Sequence, residues 1–422
     1  MNTSSTIRGL AALALAALAS CASYGDKTED ALAAFRRGDV DEAVQEYQDA
    51  CDSAFLRGAE TGTVLMAAGR WSEARGAFEA AQGAVDELEA KALVSVSDLS
   101  ASLASWALND TSLPYQGEGF ERVYLHACMA LCYLAEGSLQ DVFVEARLTN
   151  RLLETEEELY EREYAAGGLG HFLSAITYEL LGEKDEAYID YRRMADKGVG
   201  TELAGPALVR LARDLGRGDD LPLWEARFGA VTSPPRNAAS VVVIAGVGLA
   251  PYKEEQGLAL QTPDGLLSVV APKLQRRGQP VGNVRLVANG TATLRTARIE
   301  EIHDVAEENL DDRLLKIATK SIARSVAKRE LTKSLSDDHG ILGRVAGDLF
   351  TAISERADLR FWQTLPDSWQ AGRLFLEPGT HDLRLDAGPA GSADLGSFDL
   401  QPGETMFVIA RTVDLQLFAH AV

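Results

Sequence analysis

The sequence lacks the short motifs by which many enzymes are recognised. Its six histidines are scattered and form no HExxH pair, which argues against a zinc protease of that type. It has no GxSxG nucleophile turn, and the glycines that follow the apolar residues 240–245 belong to neither a GxGxxG nor a GKS/GKT motif. We therefore predict no catalytic residue, no metal site and no cofactor. The neighbours His303-Asp304 and Asp337-Asp338-His339 are more simply interpreted as polar helix ends or loops.

Long apolar runs and positive charge are also scarce. After the first 20 residues there is no stretch of ~18 apolar residues, so we predict no membrane-spanning helix. The 41 basic and 63 acidic residues give a formal net charge of -22, which argues against nucleic acid as a partner of the whole protein. Residues 21–230 contain 39 acidic and 19 basic residues, whereas residues 231–422 contain 24 and 21. This difference indicates two halves that are built differently.

The N-terminus combines one basic residue, Arg8, with an apolar run, Gly9–Ala19, and a cysteine that follows small residues. The run is too short to span a bilayer and is typical of a signal peptide. The residues Leu18-Ala19-Ser20-Cys21 resemble the lipobox of bacterial lipoproteins. The resemblance implies a signal peptide over residues 1–20 and a diacylglycerol thioether on Cys21. An ordinary secretory signal with a chance cysteine is the alternative.

The two residues after Cys21 bear on the location of the protein. In Gram-negative lipoproteins an Asp near this position commonly retains the protein at the inner membrane, and Ala22 and Ser23 provide none. The resemblance therefore implies a lipid-anchored protein of the bacterial cell envelope. For a Gram-negative source, we expect residence at the outer membrane facing the periplasm, with the membrane as a partner through the lipid.

Cysteine is rare, with four residues in the chain. The three that follow Cys21 are an odd number, which does not suggest a disulfide framework in an exported protein. Cys128 and Cys132 are four residues apart and would share one face of a helix. A metal site would need more ligands, and His126 would point elsewhere. We predict that these cysteines are small buried residues at a helix–helix contact.

Four similar segments recur in the acidic half, each between two stretches of helical apolar periodicity. They are Gly38–Ala43, Gly69–Ala74, Gly137–Val142 and Gly182–Ala187. The glycine predicts a left-handed helix end, and Asp39 or Ser138 predicts an N-cap for the next helix. A small residue at the end of most copies allows two helices to approach closely.

This pattern resembles the tetratricopeptide repeat, a helical hairpin of ~34 residues, although the spacing here is irregular. The resemblance implies stacked hairpins with a concave groove that binds a peptide or another protein. A purely structural array, with its groove filled by the other half of the chain, is the alternative. We also expect residues 24–229 to fold as an independent helical unit.

Residues 113–121 interrupt the repeats with one proline and two glycines, which predicts a loop. The loop contains two aromatic residues, Tyr115 and Phe120. It could recognise a ligand from a rigid scaffold, or its aromatic side chains could plug the packing. Tyr115 and Phe120 are therefore candidate interaction residues.

The second half begins with a predicted linker, Thr232-Ser233-Pro234-Pro235. The β-branched run at residues 240–245 predicts a buried strand, and its glycines do not predict nucleotide binding. Further strands are predicted near residues 258–261, 266–270, 284–288 and 291–296. A long helix is predicted over about residues 303–335.

The predicted long helix carries a basic stripe. Lys316, Lys320, Arg324 and Lys328 follow one another at four-residue spacing on one helix face, and Arg313 extends the stripe. The stripe could bind an anionic envelope polymer or lipid, clamp the acidic repeat half from within, or be a solvated face. Its four central residues complete the set of candidate interaction residues.

The end of the chain alternates short strands with Pro-Gly turns, which predicts an antiparallel β unit. The run from Leu376 to Leu383 resembles small β modules of the PEGA type. Overall, the sequence predicts an α+β multidomain protein. A tetratricopeptide-like α-solenoid covers residues 21–231, a mixed α/β region with the basic helix covers 232–365, and a small antiparallel β module covers 366–422.

Taken over most of its length, the chain resembles an uncharacterised family of bacterial lipoproteins that joins a tetratricopeptide-like half to a mixed second half. The resemblance rests on Tyr115–Arg122, Glu145–Asn150 and Arg356–Pro366. It implies architecture and location and no particular activity. We predict a membrane-anchored scaffold or assembly factor, not an enzyme, that binds a protein or an envelope polymer through its helical repeats. The alternative is a hydrolase of cell-envelope polymers whose active site is assembled from distant residues, which a deep pocket with clustered carboxylates would favour.

Overall fold

The structure is a computed structural model of an α+β protein. It describes residues 23–95, 114–161, 163–262, 265–313 and 357–422. The candidate residues Cys21, Lys316, Lys320, Arg324 and Lys328 lie outside the described residues.

The first half of the described chain is helical. Its helices are α1 (Tyr24–Lys27), α2 (Glu29–Arg37), α3 (Val40–Ala50), α4 (Ala54–Ala67), α5 (Trp71–Ser95), α6 (Gly119–Ala135), α7 (Leu139–Tyr160), α8 (Gly168–Leu181), α9 (Lys184–Lys197), α10 (Thr201–Asp214) and α11 (Asp220–Phe228). Each helix packs against the next one along the chain. Each therefore buries its apolar face against its neighbours in sequence.

The glycines of the four repeated segments end helices as predicted. Gly38, Gly69, Gly137 and Gly182 all have positive φ values, between 74° and 85°, which glycine adopts at little cost. The predicted capping bonds are wrong. Asp39 and Ser138 lie at the N-cap positions of α3 and α7, but neither side chain makes a capping hydrogen bond. Each is engaged by a neighbouring side chain instead, Asp39 by Arg37 and Ser138 by Asp141.

The second half is mainly strands. They are β1 (Ala239–Val247), β2 (Tyr252–Thr262), β3 (Gly265–Gln275), β4 (Arg285–Ala288), β5 (Ala292–Arg295), β6 (Ala297–Glu301), β7 (Ser368–Leu376), β8 (Gly379–Asp386), β9 (Ser392–Leu400), β10 (Thr405–Val413) and β11 (Gln416–Ala421). Helix α12 follows β6, and its described part covers 302–313. The linker prediction agrees with residues 229–238, which form neither helix nor strand.

These strands form a two-stranded hairpin, β2-β3, and two larger sheets. The five-stranded sheet has the order β11-β10-β1-β7-β6, and the four-stranded sheet has the order β5-β4-β8-β9. The pairs β8-β9 and β10-β11 are antiparallel, as the sequence predicts for the C-terminal unit, but β10 also pairs in parallel with β1, which lies outside that unit. The reason is that β10 pairs with a strand about 165 residues earlier in the chain, beyond the reach of any hairpin turn. Strands from both sides of residue 366 share this sheet.

The five-stranded sheet has two buried faces. Its first face, with Val241 and Val243 of β1, packs against the four-stranded sheet through Leu286 and Leu385. Its second face, with Val242 and Ile244 of β1, joins the core formed by the helices. A strand buried on both faces reads as a continuous apolar run, which explains the sequence of β1.

Candidate functional site

The helix surface around Glu60 and Glu121, which we call the inner surface, contacts residues 357–367 of the same chain, which we call the inner segment. The inner segment forms neither helix nor strand and turns at residues 363–365. Three successive main-chain N–H groups of this segment donate to two buried glutamates. Trp362 donates to Glu121 Oε1 at 2.6 Å, while Gln363 and Thr364 donate to the two oxygens of Glu60 at 2.8 and 2.9 Å. Hydrogen bonds from main-chain N–H groups to carboxylate oxygens are strong, so these three bonds fix the backbone of the inner segment against the helices.

Each of the two glutamates also accepts a tyrosine hydroxyl. Tyr24 donates to Glu60 at 2.8 Å, and Tyr115 donates to Glu121 at 2.6 Å. Glu121 further accepts the main-chain N–H of Glu118 at 2.8 Å, at the start of α6. Every donor of these bonds is a protein group, so both carboxylates are satisfied without any external ligand.

Glu60 reaches the inner segment from the middle of α4, where two glycines let α5 come close. A Cβ added at Gly58 would lie 2.4 Å from the carbonyl oxygen of Ala77, and one at Gly62 would lie 2.5 Å from the Phe78 ring. Both distances are shorter than any real contact. The sequence of α4 therefore brings the helix pair together around the buried Glu60.

The side chain of Trp362 anchors the inner segment. It is fully buried, and its Nε1 donates to the hydroxyls of Thr63 at 3.0 Å and Thr364 at 3.1 Å. Its ring lies edge-on to Phe55 at 6.3 Å and tilted against Phe78 at 5.9 Å. A large aromatic surface is thus removed from water between helices α4 and α5.

Burial and neighbouring charges shift the pKa values of the carboxylates in this region. It raises the pKa of Glu60, and burial together with the nearby charge of Glu118 raises the pKa of Glu121 to about 7. Burial acts in the same direction on Glu118, but the cations Lys253 and Arg313 outweigh it and lower that pKa. Lys253 Nζ lies 2.6 Å from Glu118 Oε1, and Arg313 forms an ion pair with the same oxygen.

The two aromatic candidates of the loop at residues 113–121 are buried. The Tyr115 ring packs against Phe55 and beneath the Arg360 guanidinium, and Phe120 packs against Phe361 of the inner segment. Tyr115 and Phe120 therefore support the inner segment and do not form an exposed contact surface. The sequence left open whether the loop recognises a ligand or fills the core with its aromatic side chains, and the positions of these side chains favour the second interpretation.

The basic stripe is described only at its first member. Arg313 on α12 forms an ion pair with Glu118 of the helical half, which agrees with the internal-clamp interpretation at that position. The three cysteines in the described chain, Cys51, Cys128 and Cys132, are buried and free. Burial raises the pKa of Cys51 and Cys128 to about 12, so these thiols stay protonated and are poor nucleophiles.

Two further buried glutamates connect the helices to the five-stranded sheet. Glu179 of α8 accepts hydrogen bonds from Arg210 at 2.7 Å and from Arg373 of β7 at 3.0 Å. Glu300 of β6 accepts main-chain N–H groups of Gly167 at 3.0 Å and Leu169 at 3.2 Å, at the start of α8. Burial raises the pKa of Glu300 to about 7. Together with Glu60, Glu118 and Glu121, these glutamates hold the two halves together at five positions.

One group of side chains among the described residues has the spacing of metal ligands. The ligand atoms of His303, Asp304 and Glu307 lie within 4.8 Å of one another on α12. Asp304 is already paired with Arg276, and both carboxylates are exposed, so the group resembles a surface ion-pair network.

Sequence reasoning did not identify Glu60, Glu121, Lys253 or Trp362 as a connected set. The available signal was Glu60 itself, the lone acidic residue between the small and apolar residues of α4. The stretches Tyr115–Arg122 and Arg356–Pro366, on which the family resemblance rests, contact each other through the bond from Trp362 to Glu121.

Known proteins offer no assignment of function for this chain, so such an assignment rests on the geometry described above. No family model matches the chain, and no curated protein has a matching sequence. Among the helices that the structure describes, none is both long enough and apolar enough to cross a membrane.

Proposed function

We propose that the protein is a lipid-anchored scaffold of the bacterial cell envelope that binds a protein partner through the outer surface of a tetratricopeptide-like helical array. The observation that carries this proposal is the occupied inner surface. Glu60 and Glu121 bind the inner segment, and Trp362 fills the space between α4 and α5. The helix surface around Glu60 and Glu121 is thus used within the molecule, and an external partner must contact another face.

The outer side of the helices offers exposed apolar side chains. Val144 and Leu148 are 45% and 36% exposed and lie one turn apart on α7, and Leu181 at the end of α8 is 50% exposed. The Phe143 and Tyr178 rings, 4.9 Å apart, join α7 to α8 beside them. Neighbouring exposed apolar groups, such as Val144 and Leu148 on successive turns of α7, are typical of protein contact surfaces, whereas single ones are ordinary.

The proposed repeat architecture is supported by two observations on the described helices. Helices pack in chain order, and the glycines of the four repeated segments all adopt the left-handed conformation that such turns need. The lipid anchor is supported by the residues Leu18 to Cys21 after their apolar run.

The anchor is tested by Cys21→Ser. We expect the variant to be released from membranes or to keep its signal peptide. Normal maturation together with unchanged membrane fractionation would contradict a lipid on this residue.

The contact surface is tested by site-specific photo-crosslinking in cells. A photoreactive amino acid at Val144 or Leu148 should give one discrete adduct that a control position does not give. Leu415, 60% exposed in the turn between β10 and β11, is a suitable control on the opposite half. Equal labelling at Val144, Leu148 and Leu415 would contradict the proposed surface.

The basic stripe gives the proposal a second partner class, an anionic envelope polymer or lipid. Charge reversal at Lys320 and Arg324 should weaken binding to such a polymer, and added salt should weaken it too. If the stripe faces the acidic repeats instead, as Arg313 does, the change should lower the thermal stability and leave binding unchanged. If the charge reversal changes neither polymer binding nor thermal stability, the stripe is a solvated face. The hydrolase alternative calls for clustered carboxylates in a deep pocket, whereas the clustered Glu60, Glu118 and Glu121 are buried and bonded to protein groups.

A further inference from the structure

The group formed by His303, Asp304 and Glu307, at the start of α12, combines one buried histidine with two exposed carboxylates. The ligand atoms of these three residues lie within 4.8 Å of one another. The His303 side chain is 7% exposed, whereas those of Asp304 and Glu307 are 52% and 61% exposed. The ion pair between Asp304 and Arg276 explains the position of one carboxylate, but it does not explain the histidine.

The imidazole of His303 has no hydrogen-bond partner in the part of the chain that the structure describes. Its Nδ1 is buried and unpaired. Its Nε2 faces Glu307 and lies 3.7 Å from Oε2, which is too long for a hydrogen bond. Burial, together with the nearby charge of Arg276, lowers the pKa of His303, so at pH 7 the ring is uncharged and this contact is not an ion pair. A buried polar side chain without a partner is rare and commonly marks a bound water or ion.

The two carboxylates have oxygens that are free to bind a further ligand. Arg276 donates to Oδ1 of Asp304, which leaves Oδ2 of the same carboxylate. Glu307 makes no hydrogen bond to any residue within the described ranges, and its nearest charged neighbour there is His303. Arg276 also donates to Glu301 Oε1 at 2.9 Å, so it keeps a partner if Asp304 turns toward His303.

The charge around His303 favours a cation. Two arginines, Arg276 and Arg298, lie in this region together with four carboxylates, those of Glu301, Asp304, Glu307 and Asp367. Because the imidazole is uncharged, the carboxylates outnumber the positive charges. An ion with two positive charges would offset this excess.

We propose that His303, Asp304 and Glu307 bind one divalent transition-metal ion of the zinc class. One imidazole nitrogen with two carboxylate oxygens suits Zn²⁺ and similar transition metals, whereas Ca²⁺ and Mg²⁺ prefer oxygen ligands alone. Metal–ligand distances of about 2.0–2.2 Å allow two ligand atoms of one ion to lie up to ~4.4 Å apart. The 3.7 Å between Nε2 and Oε2 falls within this range. Three protein ligands leave a fourth position of the ion for water.

The sequence predicts no metal site, because its histidines are scattered and none is paired. A single histidine with carboxylates one and four residues later is also expected on many exposed helices. What distinguishes His303 is its burial without a partner, and this depends on the packing of α12 against the rest of the molecule.

The proposal is tested by calorimetric titration of the full-length protein with Zn²⁺ at pH 7, after removal of bound metal with a chelator. The wild type should bind one ion at this position. Glu307→Gln removes an exposed ligand and should weaken binding by at least about tenfold, since even the loss of a ligand's hydrogen-bond partner costs roughly 10–100-fold. The control Glu308→Gln removes the same charge from the next residue of α12 and should leave the affinity unchanged. Equal affinities of the two variants, or no binding by the wild type, overturn the proposal.

Two further measurements test the histidine as a ligand. An excess of Ca²⁺ should not displace Zn²⁺, and displacement by an equal concentration of Ca²⁺ would identify a cluster of carboxylates without a nitrogen ligand. Crystals of the full-length protein with Zn²⁺ should give an anomalous peak within bonding distance of His303 Nε2. Either displacement by Ca²⁺ or a peak on exposed carboxylates alone overturns the proposal. Neither measurement requires a substitution of the buried His303.

Discussion

Glycines on helices α4 and α5 differ in what surrounds them, although all four lie inside helices. Gly58 and Gly62 on α4 face α5 at distances that exclude a Cβ, whereas Gly76 and Gly83 on α5 have no heavy atom within 4 Å of a Cβ position. Glycine lowers helix stability relative to alanine by roughly 0.5–1 kcal/mol. Its presence at Gly58 and Gly62 is explained by the close approach of the two helices.

Because of this difference, Gly58→Ala and Gly62→Ala should destabilise the protein by about 1–3 kcal/mol, the usual cost of overpacking. Gly58→Ala should be the more severe, because the group in its way is a main-chain carbonyl that cannot rotate aside. Gly76→Ala and Gly83→Ala should each stabilise it by about 0.5–1 kcal/mol. Urea unfolding of the four variants measures the difference, and a stabilising Gly58→Ala would show that α4 and α5 are further apart.

Glu300 predicts an unusual pH dependence. Its pKa in the folded protein is about 7, raised by burial from an ordinary value of 4.5. Between these two values the folded state binds more protons than the unfolded state. This stabilisation is present below about pH 4.5 and is lost as the pH rises through 7. The free energy of unfolding should therefore fall by up to ~1.4 kcal/mol per pH unit in this window from this group alone.

Glu300→Gln tests this prediction, because glutamine can still accept the N–H groups of Gly167 and Leu169 but does not titrate. The slope of stability against pH between about pH 5 and pH 7 should become flatter. The neighbouring Glu301→Gln is a matched control. Arg276 and Arg298 outweigh partial burial and lower the pKa of Glu301, so its titration falls below this window. Identical slopes in the wild type and Glu300→Gln would contradict the assignment.

At the scale of elements, the largest side chain that anchors the inner segment is the fully buried Trp362. Trp362→Ala should cost about 3–5 kcal/mol, because a fully buried aromatic ring is replaced by a cavity. Trp362→Phe should cost less, since the ring against Phe55 and Phe78 is largely kept while the bonds from Nε1 to Thr63 and Thr364 are lost. Chemical denaturation measures both values. The half-buried Trp224→Ala should cost less than Trp362→Ala, and the reverse order would mean that the inner segment adds little to stability.

The sequence predicts helix ends and strands well where the conformational preferences of single residues determine them. The left-handed glycines Gly38 and Gly182 follow from the absence of a Cβ, and the strand at Ala239–Val247 follows from its β-branched residues. Side-chain capping by Asp39 and Ser138 was predicted and is absent, because nearby side chains compete for both groups. Strand pairing was not predictable, since β1 and β10 are paired by tertiary packing and no local turn connects them.

At the scale of the whole molecule, the candidate site is a product of long-range contacts. Trp362 meets Glu121 across 241 residues, and Gln363 meets Glu60 across 303. Neither glutamate has a neighbour in sequence that reveals its partner. The stretches on which the family resemblance rests, residues 115–122 and 356–366, were recognised in the sequence. Their contact with each other could not be predicted from it.

The continuous core links the two halves energetically. Phe55 and Phe78 of the helices belong to the same buried cluster as Ile244, Trp369 and Phe407 of the sheet. A fragment of residues 23–230 would expose this surface and deprive the buried Glu60 and Glu121 of the main-chain donors that the inner segment supplies. These contacts argue for joint folding, although the linker at residues 232–235 by itself favours independent halves.

We therefore expect the fragment of residues 23–230 to be helical by circular dichroism but to melt at a lower temperature and less cooperatively than the full chain. Adding residues 231–422 in trans should restore a sharp transition, because it returns the donors of Trp362 and Gln363 to their glutamates. The matched control is the full chain with a protease site inserted at residues 232–235, which the structure places in an exposed connection. After cleavage its halves should elute together and melt as the intact protein does. A fragment that melts alone at the temperature of the full chain would show that the inner segment is bound by the helices without stabilising them.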